Sequence, residues 1–266
     1  MLRRSPRRPL PAVLLIPAVI LALTLAACGT GGPAPAGGAG SAPRATSLTV
    51  LAAASLTGTF TELGRRLEAG HPGTRVRFNF GSSATLAQQI TEGAPADVFA
   101  AASPATMKTV QDASLAKSPA VFARNTLEIA VPADNPAGIA ALADLARPGV
   151  KVALCAEQVP CGAAAARALS AAGLKVTPVT LEQDVKATLT KVELGEVDAA
   201  LVYRTDVIAS GKVRGITFPE AGKAANDYPI TVLSRSPARD LARRFVDLVL
   251  SGEGGDVLTK AGFQKP

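Results

Sequence analysis

The stretch SLTVLAAASLT at residues 47–57 decides how the chain is organised. Its first half, residues 47–52, is apolar enough for a buried strand, and small residues then lead to Ser55 and a helical pattern. The stretch FNFGSSATL at residues 78–86 has the same design, with Ser83 at the point where the strand gives way to a helix. Junctions of this kind are typical of an α/β protein.

Strands and helices alternate along the rest of the chain. From the spacing of apolar residues we predict strands at 75–80, 97–101, 127–131, 151–155, 175–179, 199–203 and 230–233, and helices at 59–68, 85–92, 139–145, 163–172, 185–194 and 237–250. Alternating β and α units of this length predict open, mostly parallel sheets with helices on both faces.

The net charge does not indicate a nucleic-acid-binding protein. Of the formal charge of +7, four units come from arginines within the first eight residues, which leaves +3 for the remainder. No run of lysine or arginine in the body forms a patch that could follow a phosphate backbone.

The first 28 residues have the pattern of a secretory signal. The N-terminal arginines precede an apolar stretch, and small residues then lead to Cys28. Pro11 and Pro17 interrupt the apolar stretch and no charged stop-transfer segment follows, which argues against a transmembrane helix. The letters LAACG around Cys28 also resemble a bacterial lipobox, in which the cysteine is acylated.

A flexible linker is predicted at residues 29–46, which consist almost entirely of Gly, Ala, Pro, Ser and Thr. Together with a lipid on Cys28, it would tether a folded domain to a membrane. We therefore expect an exported protein that is anchored to the outer face of the cell membrane.

The two remaining cysteines, Cys155 and Cys161, lie six positions apart. Outside the cytoplasm an isolated close pair is most simply a disulfide. A metal site would need more ligands, and the only histidine, His71, precedes Pro72 in a predicted loop. A redox-active pair would more often have the spacing C-x-x-C.

Catalytic motifs are missing from the sequence. It contains no G-x-S-x-G elbow, no phosphate-binding P-loop and no H-E-x-x-H motif. A serine or cysteine nucleophile usually needs a histidine as its general base, and the chain has only one histidine. We expect no enzyme, no catalytic residues and no cofactor.

Small hydroxyl residues instead collect at the β-to-α junctions. Ligands of open α/β sheets bind at the carboxyl ends of the strands, and helix N-termini there present free N–H groups to anions. Each serine alone could equally be a helix cap. Together the junctions suggest an anion site.

Seven short motifs, in this order and spacing, resemble the periplasmic molybdate-binding proteins of ABC transporters. They are AAASLT (52–57), FGSSATLA (80–87), GAPADVF (93–99), VPCG (159–162), EQDV (182–185), LVY (201–203) and FPE (218–220). The similarity extends over nearly all of residues 47–266.

The resemblance implies which residues bind the anion. The family's contacts fall on the hydroxyl and amide of Ser55 and of Ser83, the amides of Cys161 and Val185, and the hydroxyl of Tyr203. Many relatives have alanine where this chain has Cys161, but an amide donor does not depend on its side chain. A bridge from Cys155 would hold that amide beside the ligand. The other tyrosine, Tyr228, is interpreted as a hinge or packing residue.

The resemblance also implies the two-lobed fold of type II periplasmic binding proteins, with the ligand in a cleft between α/β lobes. Lobe I would comprise residues 47–126 and 226–266, and lobe II residues 127–225. The ligand would be molybdate or tungstate, the partner an ABC transporter permease, and the protein a monomer with no direct protein–metal ligands.

Neutral donors would select a fully ionised tetrahedral dianion. A protonated phosphate would leave donors facing one another, at a cost of about 1–3 kcal/mol for each unpaired polar atom. A carrier for another tetrahedral oxyanion such as sulfate, an envelope enzyme on the same fold and an adhesive or scaffold lipoprotein remain alternatives. Ferric binding would need more than the two tyrosines present.

Overall fold

A computed structural model describes residues 46–266. The predicted signal peptide (1–28), its acylation site Cys28 and all of the predicted linker except Thr46 lie outside the described residues. Thr46 itself is the first residue of a strand.

The first part of the chain builds one sheet and the helices that cover it. Its elements are β1 (Thr46–Ala53), a 3-10 turn (Ala54–Leu56), α1 (Thr57–Gly70), β2 (Thr74–Gly81), α2 (Ser83–Thr91), β3 (Val98–Ala100), α3 (Pro104–Asp112) and β4 (Ala120–Asn125). The chain returns to this sheet with β10 (Asn226–Val232) and ends in α7 (Arg239–Leu250) and α8 (Gly252–Lys260). The strand order is β2-β1-β3-β10-β4.

The middle of the chain builds the second sheet. Its elements are β5 (Leu127–Pro132), a 3-10 helix (Leu142–Ala146), β6 (Val152–Cys155), α4 (Pro160–Ala171), β7 (Thr180–Glu182), α5 (Val185–Glu193), β8 (Ala199–Tyr203), α6 (Arg204–Ser210), β9 (Val213–Ile216) and a 3-10 helix (Pro219–Ala224). The strand order is β7-β6-β8-β5-β9.

Both sheets are mostly parallel, as predicted, and each contains one reversed strand. In the first sheet β1 is parallel to β2 and β3, but β10 is antiparallel to β3 and β4. In the second, β6 is parallel to β7 and β8, while β5 is antiparallel to β8 and β9. The reversed strands, β5 and β10, are those that begin where the chain passes from one sheet to the other.

Each sheet has its own hydrophobic core. Alternate residues of β1 contribute to both faces of the first sheet: Leu48 and Val50 pack in the same cluster as α1, α7 and α8, whereas Leu51 packs with α2 and α3. The second sheet and its helices share one further cluster. Because only the segments at Thr126 and Ala225 connect the two sheets, we propose the lobe boundaries stated above, lobe I around the first sheet and lobe II around the second.

Two predicted elements differ from the structure. The predicted strand at 175–179 is not formed, and β7 begins only at Thr180; Pro178 lacks the amide that a strand ladder requires. The predicted helix at 139–145 is only the short 3-10 helix Leu142–Ala146. It ends at Ala146, because the proline that follows Arg147 disfavours a helical conformation at Arg147.

No helix within residues 46–266 is both long enough and apolar enough to cross a membrane.

Candidate functional site

A cavity of about 20 Å³ lies where the carboxyl ends of strands from both lobes meet. It is lined by Ala53, Ala54, Ser55, Gly81, Ser82, Ser83, Ala102, Val159, Pro160, Cys161, Asp184, Val185 and Tyr203. The structure therefore brings together all five residues that the sequence analysis assigned to the anion. That these residues bind it remains a prediction.

Lobe I contributes two serines to the cavity. Ser55 lies in the 3-10 turn that leads from β1 into α1, and Ser83 is the first residue of α2, just beyond β2. The Ser83 hydroxyl accepts a hydrogen bond from the amide of Ala102 at 3.0 Å, so its own proton is free for another acceptor. Neither serine caps its helix through its side chain.

Lobe II contributes the starts of two helices. Cys161 is the second residue of α4, and Val185 is the first residue of α5. Amides in the first turn of a helix have no partner inside it, so both N–H groups can donate to an anion. Asp184 caps α5, with Oδ1 accepting from the amides of Lys186 (2.8 Å) and Ala187 (3.0 Å).

Tyr203, the last residue of β8, completes the set. Its hydroxyl accepts a hydrogen bond from Nδ2 of Asn226 at 2.6 Å. Burial raises the pKa of Tyr203 well above its usual value, although the bond from Asn226 opposes this shift. The hydroxyl therefore stays protonated and can act as a donor.

The five residues of the site are almost completely buried. The exposed fraction is 8% for Ser55, 1% for Ser83, 3% for Cys161, 3% for Val185 and 1% for Tyr203. Ala54 of lobe I also packs in the hydrophobic core of lobe II. The cavity thus lies between closely packed parts of both lobes.

The electrostatics favour an anion without a basic side chain in contact. No lysine or arginine belongs to the part of the described chain that lines the cavity. The one carboxylate there, on Asp184, is bonded through Oδ1 to its own helix. The positive potential comes instead from helix N-termini of both lobes. Within residues 46–266 no three His, Cys, Asp or Glu side chains are grouped so as to hold a metal ion.

Cys155 and Cys161 are joined by a disulfide. The bond connects the last residue of β6 to the first turn of α4, and both cysteines are buried. A ring this small contributes about 2–3 kcal/mol in the chain-entropy model. More important for the site, it ties the start of α4, including the amide of Cys161, to the end of a central strand.

Two residues of the site were missed by the sequence analysis. The Ser82 hydroxyl lies in the cavity wall, is buried, and has no hydrogen-bond partner among the described residues. Tyr228 is completely buried, and its hydroxyl lies 3.0 Å from that of Ser55, so it supports the site in addition to packing. Ser82 could have been assigned to the site, because it stands beside Ser83 in the same motif. No local sequence pattern indicated that Tyr228 contacts the site.

Asp206, in the first turn of α6, is a fully buried carboxylate close to the site. Its Oδ1 lies 3.1 Å from Nζ of Lys186 on α5. Burial raises the pKa of Asp206 from 3.8 to about 6, and the ammonium of Lys186 only partly offsets this shift. The folded state therefore holds this proton more tightly than the unfolded state does.

This shift predicts a pH-dependent stability. The contribution of Asp206 is fully present below about pH 4 and is lost as the pH rises through about 6. Urea unfolding from about pH 4 to about pH 7 should show the wild type losing about 2 kcal/mol relative to Asp206→Asn. Parallel pH profiles for the two proteins would contradict this expectation.

The two mixed sheets and the cavity between the lobes have the fold of the type II periplasmic binding proteins. The chain belongs to the family described as bacterial extracellular solute-binding proteins, whose family model matches residues 48–264.

Among its relatives is the molybdate-binding protein ModA of Mycobacterium tuberculosis. The two are 44% identical over 254 residues, which cover 95% of this chain and 97% of the relative. The resemblance identified from the seven motifs is thereby confirmed.

Solved structures agree on the fold. The periplasmic molybdate-binding protein of Azotobacter vinelandii superposes with a TM-score of 0.71 at 19% identity, covering 82% of this chain and 99% of that one. The sulfate-binding protein SubI of Mycobacterium tuberculosis superposes with a TM-score of 0.74, also at 19% identity. The superposition covers 83% of this chain and 87% of SubI. At these identities the likeness concerns the fold, so it does not distinguish one oxyanion from another.

Proposed function

We propose that this protein captures molybdate, and tungstate with it, outside the cytoplasm and delivers it to an ABC transporter permease. The observation that carries the proposal is the buried cavity formed by Ser55, Ser83, Cys161, Val185 and Tyr203, in which neutral donors from both lobes surround one small space. The 44% identical molybdate-binding relative supports the choice of ligand.

The donor set suits a tetrahedral dianion. Three hydroxyls and helix-terminal amides can each donate to an oxygen of a fully ionised oxyanion. A protonated anion would direct its own O–H at these donors and leave polar atoms unpaired. Tungstate is nearly the same size as molybdate and should bind about as well, whereas sulfate is smaller and would make longer bonds.

The proposal extends to how the protein is held and used. It is a monomeric lipoprotein with a lipid on Cys28, and residues 29–45 link the anchor to the lobes. Binding bridges the two lobes, and the closed form is the shape that the permease recognises. It is a carrier rather than an enzyme, and molybdenum is its cargo rather than a cofactor.

A thermal-shift experiment tests the ligand. A soluble form beginning after Cys28 is melted with molybdate, tungstate, sulfate or phosphate. A ligand at about 100 times its dissociation constant adds about 2.7 kcal/mol of stability, which corresponds to about 5–10 °C in a protein of this size. We expect this shift with molybdate and tungstate.

Sulfate is the second candidate, because the SubI structure has the same fold. A shift with sulfate that equals or exceeds the shift with molybdate would favour it. A flat response to both metal oxyanions would overturn the proposed ligand.

A further inference from the structure

Two buried asparagines lie at the two crossings between the lobes. Asn125 is the last residue of β4, Asn226 is the first residue of β10, and they are direct partners in the strand register. Their exposed fractions are 1% and 3%. Each donates a hydrogen bond to one of the two tyrosines of the chain.

The side-chain amide of Asn226 is held in one orientation. Its Oδ1 accepts a hydrogen bond from Nη2 of Arg167 at 2.5 Å. A guanidinium can only donate, so the amide oxygen must face Arg167 and the amide nitrogen must face the other way. Nδ2 consequently donates to the hydroxyl of Tyr203 at 2.6 Å and to the carbonyl of Pro160 at 3.3 Å.

This orientation determines where the proton of Tyr203 points. The hydroxyl oxygen receives the proton of Asn226, so its own proton must be directed elsewhere. The neighbouring hydroxyl of Tyr228 is already bonded to Ser55 and Asn125. Tyr203 lines the cavity. Its proton is therefore presented to whatever occupies that space.

Asn125, the second asparagine, acts on the side of the cavity that carries Ser55. Oδ1 of Asn125 accepts from the amide of Thr126 at 3.1 Å, which leaves Nδ2 to donate to Thr205 at 2.8 Å and to Tyr228 at 3.4 Å. The hydroxyls of Tyr228 and Ser55 lie 3.0 Å apart, and either can be the donor. When Tyr228 donates, the proton of Ser55 is turned towards the cavity. Each of the three cavity hydroxyls thus has, on its far side, a polar group that can donate to it: Asn226 behind Tyr203, the amide of Ala102 behind Ser83, and Tyr228 behind Ser55.

We propose that Asn226, oriented by Arg167, and Asn125 are positioning residues that set the proton direction of the cavity hydroxyls, so that the site presents donors only and selects anions that carry no proton. This inference rests on the proposed function and names the residues that give the site its preference. Neither asparagine lines the cavity, and both act through another side chain.

Asn226→Asp tests this role, because an aspartate oxygen in place of the amide nitrogen accepts where the nitrogen donated. The bond to Arg167 can persist, while the proton of Tyr203 would turn away from the cavity. Calorimetry on the full chain in detergent should show molybdate binding weakened about ten-fold or more. Binding of molybdate relative to phosphate, measured where phosphate is protonated, should fall as well.

A double-mutant cycle separates this role from charge or distortion. In the Tyr203→Phe background there is no proton to redirect, so Asn226→Asp should change the affinity by less than about two-fold. An equal loss in both backgrounds would mean that the introduced carboxylate acts by repelling the anion or by deforming the site. If Asn226→Asp does not weaken molybdate binding in either background, the inference is also overturned.

A measurement without ligand keeps the inference independent of the proposed function. The Raman doublet of tyrosine reports whether its hydroxyl donates or accepts, and only two tyrosines contribute. Asn226→Asp should move the signal from acceptor to donor character, and an unchanged doublet would overturn the proposal. A wild type that binds no molybdate would reject the proposed function, while the Raman comparison still decides the inference.

Discussion

Gly162→Ala is expected to destabilise the protein by about 3 kcal/mol and to weaken binding of the oxyanion at the same time. A Cβ on this residue would lie 2.0 Å from the carbonyl oxygen of Ala156 and 2.7 Å from that of Cys155. These are backbone atoms that cannot rotate aside, so the start of α4 would have to move. The amide of Cys161 is in that turn and would move with it.

Urea unfolding and calorimetric titration with molybdate, run on the same preparation, measure the two effects. Gly58→Ala is the matched control, because Gly58 is near the start of α1 and its added Cβ would meet no atom within 4 Å. That control should be neutral or slightly stabilising. If Gly162→Ala is as stable as Gly58→Ala, α4 does not approach the end of β6 as closely as described.

Ser55→Ala and Ser83→Ala are each expected to weaken molybdate binding by about 10- to 100-fold. A hydrogen bond to a charged acceptor contributes about 1.5–3 kcal/mol, and both hydroxyls are buried beside the cavity. Ser83→Ala should also lower the stability of the ligand-free protein, because the amide of Ala102 loses its partner. The affinity is measured by calorimetry, and the stability by the melt without ligand.

Ser170→Ala is the control for this pair. Ser170 is an exposed residue of the same α4 helix that carries Cys161, and it does not line the cavity. Its substitution should leave the affinity unchanged. If the cavity serines behave like Ser170, the anion is held elsewhere and the assignment of Ser55 and Ser83 fails.

The residues that line the cavity could be predicted because each lies in a contiguous motif. Ser55 and Ser83 follow strands directly, and Cys161 and Val185 open helices, so a local pattern suffices to locate them at the carboxyl edge of a sheet. Their role was inferred by resemblance, because a serine at the start of a helix is equally a cap.

The residues behind the cavity could not be predicted in this way. Tyr228 is 173 positions from Ser55 in the sequence, and its hydrogen bond depends on how β10 enters the first sheet. Asn226 likewise meets Arg167 only because the chain crosses back from lobe II at this point. Contacts of this kind leave no periodic signal in either segment.

The fold was predictable in outline but not in strand direction. Apolar periodicity indicates that a strand is buried, yet it does not say which way the strand runs. The sequence therefore predicted β5 and β10 as strands without indicating that each is the reversed strand of its mostly parallel sheet. Helix α8 was missed for a different reason. It begins with the glycine-rich residues 252–255, which have low helix propensity, and it is stabilised by packing of Val257 and Leu258 in the core.

The pairing of β4 with β10 has a mechanical consequence. Both links between the lobes leave lobe I side by side, as one antiparallel ribbon with a bulge between Tyr228 and Pro229. A two-stranded ribbon bends easily perpendicular to the plane of its strands. It resists stretching, and it resists sliding of one strand along the other, because the strands are hydrogen-bonded to each other. The two halves of the molecule are therefore expected to swing about a single axis, so that loading and unloading follow the same path in opposite directions.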